Sequence, residues 1–169
     1  MAETLQNRLN TLYSTNRRDI YAYLSRISGD SDLALDLLQD AFVNFFSHYK
    51  EREVPDDGSC RRILFRIARN LFLNHVKSAA NKHSRLEEGA LADSTAANRE
   101  DFSPAIQRLI LALPERERTA IVLRYMDSLK LEEIGLVLGL SVSASSRLIQ
   151  KAEKMLEWEA RKLGISLDD

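Results

Sequence analysis

The chain has 169 residues, 44% of them hydrophobic, which is enough to bury a core in one ordinary domain or two small ones and excludes disorder throughout. Six glycines and three prolines are too few for the frequent turns of a sheet sandwich, so an all-α fold is expected. A net charge of −1 excludes a protein that coats nucleic acid by charge alone, and one cysteine with three scattered histidines excludes an internal disulfide and a zinc signature.

The first helical pattern carries Leu5, Leu9, Leu12, Ile20, Leu24 and Ile27 at helical spacing and stops at Gly29. A second helix is expected from about Asp32 to Tyr49, with Leu35, Leu38, Phe42, Phe45 and Tyr49 on one stripe and Asp36, Gln39, Asp40 and Val43 on the other side. "KEREVPDDGS" holds Pro55, Gly58 and several acidic residues without apolar periodicity, and reads as a loop. The third helix, "CRRILFRIARNLFLNHVKSAA", turns Ile63 or Leu64, Ile67 and Leu71 inward, with Phe65 beside them, and Cys60 is expected to be a half-buried apolar residue.

From Ser59 to Leu86 there are Arg61, Arg62, Arg66, Arg69, Lys77, Lys82 and Arg85 and no acidic residue, a basic stripe in a neutral chain. Arg62, Arg66, Arg69 and Lys77 fall on one helix face. Residues 81–102 are small and polar and read as a linker, which divides the chain into helical domains at 1–80 and 103–169. Ser103 before Pro104 gives an N-cap and first helical position, and helices resume in "PAIQRLILAL", "PERERTAIVLRYM", "LEEIGLVL" and "VSASSRLIQKAEKMLEWEARKL".

The last two segments have helix-turn-helix spacing. Small Gly135 permits a close helix approach, Gly139 ends the first helix, Leu140 plugs the core and Ser141 caps the second. In such a motif the second helix lies in the major groove; a purely structural helical hairpin is the alternative use of the same turn. Ser143, Arg147, Lys151 and Lys154 share one face, opposite Ile149, Ala152, Met155 and Leu156. Serines and Gln150 read base edges less selectively than Arg on guanine, while Arg147 and Lys151 suit bases or phosphates.

From about Asp19 to Leu156 the chain resembles the extracytoplasmic-function, or group IV, sigma factors of the sigma-70 family, in which a helical sigma-2 domain, a linker and a helix-turn-helix sigma-4 domain follow one another. "DLLQDAFVNFFSHY" is similar to the D-L-V-Q-E-x-F motif through Asp36, Leu37, Gln39, Asp40 and Phe42. The resemblance implies that these residues and Val43 grip the clamp coiled coil of the polymerase β′ subunit; an acidic and amide face beside apolar residues suits a basic helical partner. "CRRILFRIARN" is similar to F-R-A-W-L-F-R-I-A-R-N, which implies engagement and opening of the minus-ten element by Arg62, Arg66, Arg69, Asn70 and Lys77. Cys60 stands at a usual Phe and Ile63 at a usual Trp, and the acidic loop departs from D-P-E-R-G-S-F.

"LPERERTAIVLRYMDSLKLEEIGLVLGLSVSASS" is similar to the family's sigma-4 pattern through Leu113, Pro114, Arg118, Leu123, Arg124, Tyr125, Glu133, Ile134, Leu138, Gly139 and Ser141. It implies minus-thirty-five contacts from Arg118, Arg124, Ser143, Ala144, Ser146, Arg147, Gln150, Lys151 and Lys154. Arg118 and Arg124 serve equally well as partners within the chain. In ungapped register G-T-V-K becomes Ser143 to Ser146, so Ser145 replaces an apolar residue and Ser146 a lysine.

The expected function is that of an alternative sigma factor, a non-enzymatic subunit without cofactor that directs promoter-specific initiation and assists melting. Core RNA polymerase, through its β′ clamp and β flap, promoter DNA and an anti-sigma factor are the expected partners. A sigma mimic that titrates an anti-sigma factor is the alternative, motivated by the serine-rich third block. His48, His75 and His83 with Asp56 and Asp57 form no recognisable enzymatic set. The N-terminus lacks a basic start, and no apolar run reaches membrane length, so a cytoplasmic protein is expected.

Overall fold

The computed structural model describes residues 3–83 and 103–166, and its regular elements are helical, as the composition predicts. In the first half α1 (Leu5–Ser28), α2 (Ser31–Tyr49) and α3 (Asp57–His83) pack on one another. In the second, α4 (Pro104–Ala112), α5 (Glu115–Ile121), a single π turn (Val122–Met126), α6 (Leu131–Leu138) and α7 (Val142–Leu163) follow at short intervals.

The ends are set by local chemistry. Asp30 caps α2 by accepting from the Asp32 and Leu33 amides, both at 3.1 Å, and Ser103 caps α4 by accepting from the Ile106 amide. Gly29 closes α1 in the left-handed region at φ 68°, where a Cβ would also come within 2.9 Å of the Leu111 side chain on α4. The third helix starts earlier than its apolar pattern predicts. The Asp56 carboxylate accepts from the Ser59 amide and hydroxyl at 2.9 and 2.8 Å, which recruits Asp57, Gly58 and Ser59 from the expected loop into the first turn. Those bonds hold the Asp56 carboxyl below the usual carboxylate range. At its other end α3 reaches His83, so residues 81–83, read as linker, belong to the helix. Arg85 and the rest of the expected linker lie outside the described residues.

Two packing expectations change. Leu35 is 48% exposed, while Ala34, Leu37, Leu38, Ala41, Phe42 and Phe45 are buried, so the inward face of α2 is turned from the expected stripe toward Ala34, Leu37 and Ala41, by about half a residue. On α3 the fully buried positions are Cys60, Leu64, Phe65 and Ala68, with Ile63, Ile67 and Leu71 at the margin. Cys60 is completely buried rather than half-buried, its thiol directed at the Pro55 carbonyl oxygen at 3.3 Å. In the same core Tyr23 and Phe65 pack edge to face, 5.4 Å apart.

The two halves share one apolar core. Tyr23, Ile27, Phe65 and Ala68 of the first are continuous with Ile110, Ala120, Val122, Leu123 and Ile134 of the second. Helix α1 touches α4, α5 and the π turn, and α3 touches α6. The second half therefore rests on the side of the first formed by α1 and α3.

Candidate nucleic-acid interface and partner-binding face

The turn between α6 and α7 has the geometry its sequence requires. Gly139 adopts φ 71°, the Leu140 amide donates to the Gly135 carbonyl oxygen at 2.8 Å, and Ser141 caps α7 by accepting from the Ala144 amide. A Cβ on Gly135 would stand 2.5 Å from the Leu140 carbonyl oxygen, so no side chain fits there. At the base of α6 the Glu133 carboxylate accepts from the Lys130 amide at 3.2 Å, a capping interaction that accounts for one residue of the family pattern.

Ser145 is the buried member of the serine group. Its hydroxyl donates to the Ser141 carbonyl oxygen at 2.8 Å and lies 3.1 Å from the Cβ that Gly135 lacks. The hydroxyl is satisfied inside the turn, so a polar residue at a usually apolar position leaves no orphaned group. Ser143, Arg147, Gln150, Lys151 and Lys154 are exposed on the outer face of α7, and Ala144 and Ser146 are half-buried beside them. Ile149 and Ala152 are buried on the inner face, with Met155 and Leu156 packed near Leu113 and Ile121. The aligned basic face expected from the spacing is present. Lys151 is partly committed, with Nζ 3.2 Å from the nearly buried Glu117 carboxylate. Arg147 and Lys154 make no ion pair among the described residues.

Arg118 and Arg124 sit differently from these. Arg118 spends its guanidinium on carbonyl oxygens: Nη1 donates to Ile27 at 2.6 Å, Nη2 to Leu111 and Leu113 at 3.2 and 3.0 Å, and Nε to Leu113. Burial lowers its pKa, although the guanidinium stays charged. Arg124 is exposed and leans on the Leu129 carbonyl oxygen at 3.4 Å.

On α3, Arg66, Asn70 and Lys77 are exposed, and Arg62 donates to the Ser59 hydroxyl at 3.0 Å. Arg69 does not share their exposure. Its Nε and Nη2 donate to the two oxygens of Glu115 on α5, each at 2.9 Å, and its side chain is only 12% exposed. Thr119 donates to the same carboxylate at 2.9 Å, and the Tyr23 hydroxyl is 3.5 Å from Thr119. Arg61 also faces the second half: it pairs with Asp19 at 2.7 Å, stacks over Phe65 at 5.0 Å and donates to the Asp127 carbonyl oxygen at 3.4 Å.

The Asp127 carboxyl, just after the π turn, is pushed up to about 7 by burial, against the pull of Arg26 and Arg61. Glu115 and Asp127 drew no attention in the sequence, because each occupies a position the family pattern leaves open. Glu115 lies among the variable residues after Leu113–Pro114, and Asp127 two residues beyond Tyr125.

The face of α2 opposite the core presents Asp36, Gln39 and Asp40 with exposed Leu35 and Val43, the last 60% exposed. Leu37 and Phe42, which the motif places in the same group, are buried beneath it at 6% and 2% exposure. They hold the helix in position and do not reach its surface. Among the described residues no cluster of His, Cys, Asp or Glu is arranged to hold a metal ion, and no helix is long and apolar enough to cross a membrane.

Comparison with known proteins places this geometry. The family described as "Sigma-70 region 2" matches residues 12–82, and "Sigma-70, region 4" matches residues 103–156. The chain is 27% identical to the ECF RNA polymerase sigma factor SigW of Bacillus subtilis over 159 residues, covering 85% of this chain and 84% of that protein. It is 23% identical to SigM of the same organism, covering 88% and 93%. In fold it is similar to the sigma factor RpoE of Bartonella quintana, solved with the anti-sigma factor NepR, at a TM-score of 0.74 and 17% identity over 95% of this chain and 98% of that one. With both conserved regions of the family matched in order, and relatives of the extracytoplasmic-function group aligned along most of its length, the chain belongs to the sigma-70 family as an alternative, non-enzymatic sigma factor of that group.

Proposed function

We propose that this sigma factor binds core RNA polymerase in the cytoplasm through the α2 face made by Leu35, Asp36, Gln39, Asp40 and Val43, with the β′ clamp coiled coil as its partner. Leu37 and Phe42 support that face from below. The sigma-4-like half adds a contact to the β flap. Helix α3 engages the minus-ten element through Arg62, Arg66, Arg69, Asn70 and Lys77: the cations track the strand backbone and Asn70 hydrogen-bonds a base. Helix α7 enters the major groove of the minus-thirty-five element, presenting Ser143, Ala144, Ser146, Arg147, Gln150, Lys151 and Lys154, with Arg124 at the flank. Arg118 acts indirectly by tying the start of this half to helix-end carbonyls.

The observation that carries this reading is the outer face of α7, where Arg147, Lys151 and Lys154 line up beyond a correctly built tight turn. Near-neutral overall charge is compatible with it, because two modest DNA contacts joined in one chain and held by polymerase add up to sufficient affinity. Free protein binds DNA weakly. The Bartonella complex supports an anti-sigma factor as a further partner.

The test is transcription in vitro with purified core polymerase and sheared genomic DNA from the source organism, followed by sequencing of transcript starts. A common upstream element is expected, and Arg147→Ala with Lys154→Ala should abolish selective starts while core binding persists. A chain that binds core and an anti-sigma factor but gives no promoter-specific start is a sigma mimic.

A further inference from the structure

Glu117 is a buried acid beside the outer face of α7. It stands on α5 at 7% exposure, four residues after Leu113 and four before Ile121, and those two pack with Ala152 of α7. A carboxylate enclosed between two helices is costly unless a cation answers it. Its one ion pair among the described residues is with Lys151, the neighbour of Ala152, whose Nζ lies 3.2 Å from Oε1. Arg118, next in the chain, turns its guanidinium to carbonyl oxygens instead. The lysine side chain remains 67% exposed, in line with Arg147 and Lys154.

The pair changes what Lys151 can do to DNA. A free lysine is a mobile point charge that settles on any phosphate and adds to affinity for every sequence. Held at Glu117, the ammonium has its charge offset by a carboxylate that the packing of α5 on α7 keeps in place, and its long stem loses rotational freedom. One of its three N–H donors is spent, and two remain to point away from the helix. Two donors on one nitrogen suit a base edge with two neighbouring acceptors, and in the major groove that edge is the O6 and N7 of guanine. Arg147 and Lys154, without an ion pair among the described residues, keep their full charge.

We propose that Glu117 is a positioning residue for minus-thirty-five recognition, which turns Lys151 from a general phosphate contact into a directed reader of a guanine. The pair exchanges affinity for selectivity, which the small side chains of Ser143, Ala144 and Ser146 supply only weakly at the start of the helix. The inference rests on the reading of α7 as the minus-thirty-five helix.

The test follows binding of the full chain to labelled duplexes by fluorescence anisotropy between about 50 and 200 mM salt. One duplex carries the upstream element recovered by mapping transcript starts, and the other has that element scrambled. Glu117→Gln keeps the shape of the side chain and frees Lys151. On the scrambled duplex it should steepen the logarithmic salt dependence by about 0.9 and tighten binding about fivefold at about 0.15 M salt, the gain of one phosphate contact. Preference for the recovered duplex should fall by at least about fivefold. In a Lys151→Ala background the same change should do neither, which separates the pair from the general effect of removing a negative charge.

Two variants at exposed positions give a comparison that leaves the buried site intact. Lys154→Ala should lower the salt slope by about 0.9, and Lys151→Ala by less than about half of that. Lys151→Ala should also lose about tenfold on the recovered duplex and accept any base at one guanine of the element.

A wild-type salt slope in Glu117→Gln, an undiminished preference in that variant, or equal losses of slope in Lys151→Ala and Lys154→Ala would each overturn the proposal. Failure of the underlying reading has a different signature: the wild-type chain would bind the two duplexes equally, and the role of Glu117 would fall with it.

Discussion

Arg118 Nη1 donates to the Ile27 carbonyl oxygen at 2.6 Å, so an arginine at the start of the second half closes the C-terminal end of α1, 91 positions earlier in the chain. The same guanidinium caps the end of α4 through Leu111 and Leu113. Charge and the orphaned carbonyls of two helix ends meet at one planar group. Arg118→Ala should lower stability by about 2–3 kcal/mol, and Arg118→Lys should recover less than half of that, because a point cation cannot serve carbonyls in several directions. Urea denaturation followed by circular dichroism measures both.

Asp127 makes stability depend on pH. Its carboxyl meets Asp19 and Arg26 from α1 and Arg61 from α3, and one of its oxygens is shielded without a hydrogen-bond partner. Burial raises the pKa to about 7 in the docked state from an ordinary carboxylate value. An acid with a raised pKa favours the docked state when protonated. Its contribution is therefore complete below about pH 4 and is lost as pH rises to about 7, with little change beyond. Asp127→Asn mimics the protonated form and should match wild type at about pH 4 and below. By pH 8 it should exceed wild type by on the order of 4 kcal/mol. Melting temperatures of the two chains across this range give the comparison, and equal curves would rule out Asp127 as the responsible group.

Gly135 and Gly139 both stand in the tight turn but for different reasons. Alanine at 135 would press a Cβ against the backbone oxygen of Leu140, which cannot yield without moving α7. Alanine at 139 meets open space and carries only the left-handed backbone penalty. Gly135→Ala should cost about 3 kcal/mol and Gly139→Ala about 1 kcal/mol. Thermal unfolding of the pair tests the order, and equal losses would mean that the turn relaxes.

The α2 motif should separate into two phenotypes. Phe42→Ala empties a buried site and should cost about 3–5 kcal/mol of stability. Asp40→Ala with Val43→Ala alters only exposed groups, so stability should change by less than about 0.5 kcal/mol. Core polymerase binding should weaken by at least about tenfold. Surface plasmon resonance on immobilised core, beside a melting curve, distinguishes a supporting residue from a contacting one.

Much of this was legible because helix ends are written in single residues. Gly29, Gly139 and Gly164 mark left-handed terminators, and Ser103 and Ser141 mark caps, so the elements and the tight turn followed from local chemistry. The inward side of α2 was harder to place. Ala34 and Ala41 are small enough to be overlooked as core, yet they set the rotation that expels Leu35. Docking of the halves was not legible at all. Periodicity shows that Ile27, Phe65 and Leu123 are buried but not that they are buried together. A basic stripe shows charges without their partners, and the commitments of Arg69 to Glu115 and Lys151 to Glu117 depend on tertiary placement.

The chain's one thiol is enclosed where α3 begins, and burial pushes its pKa up. Reaction with peroxide or an alkylating reagent requires a thiolate and a path for the reagent, and Cys60 has neither while this half stays folded. Thiol oxidation therefore does not act on Cys60 while this half stays folded, and maleimide chemistry meets a blank background on which any introduced cysteine stands alone.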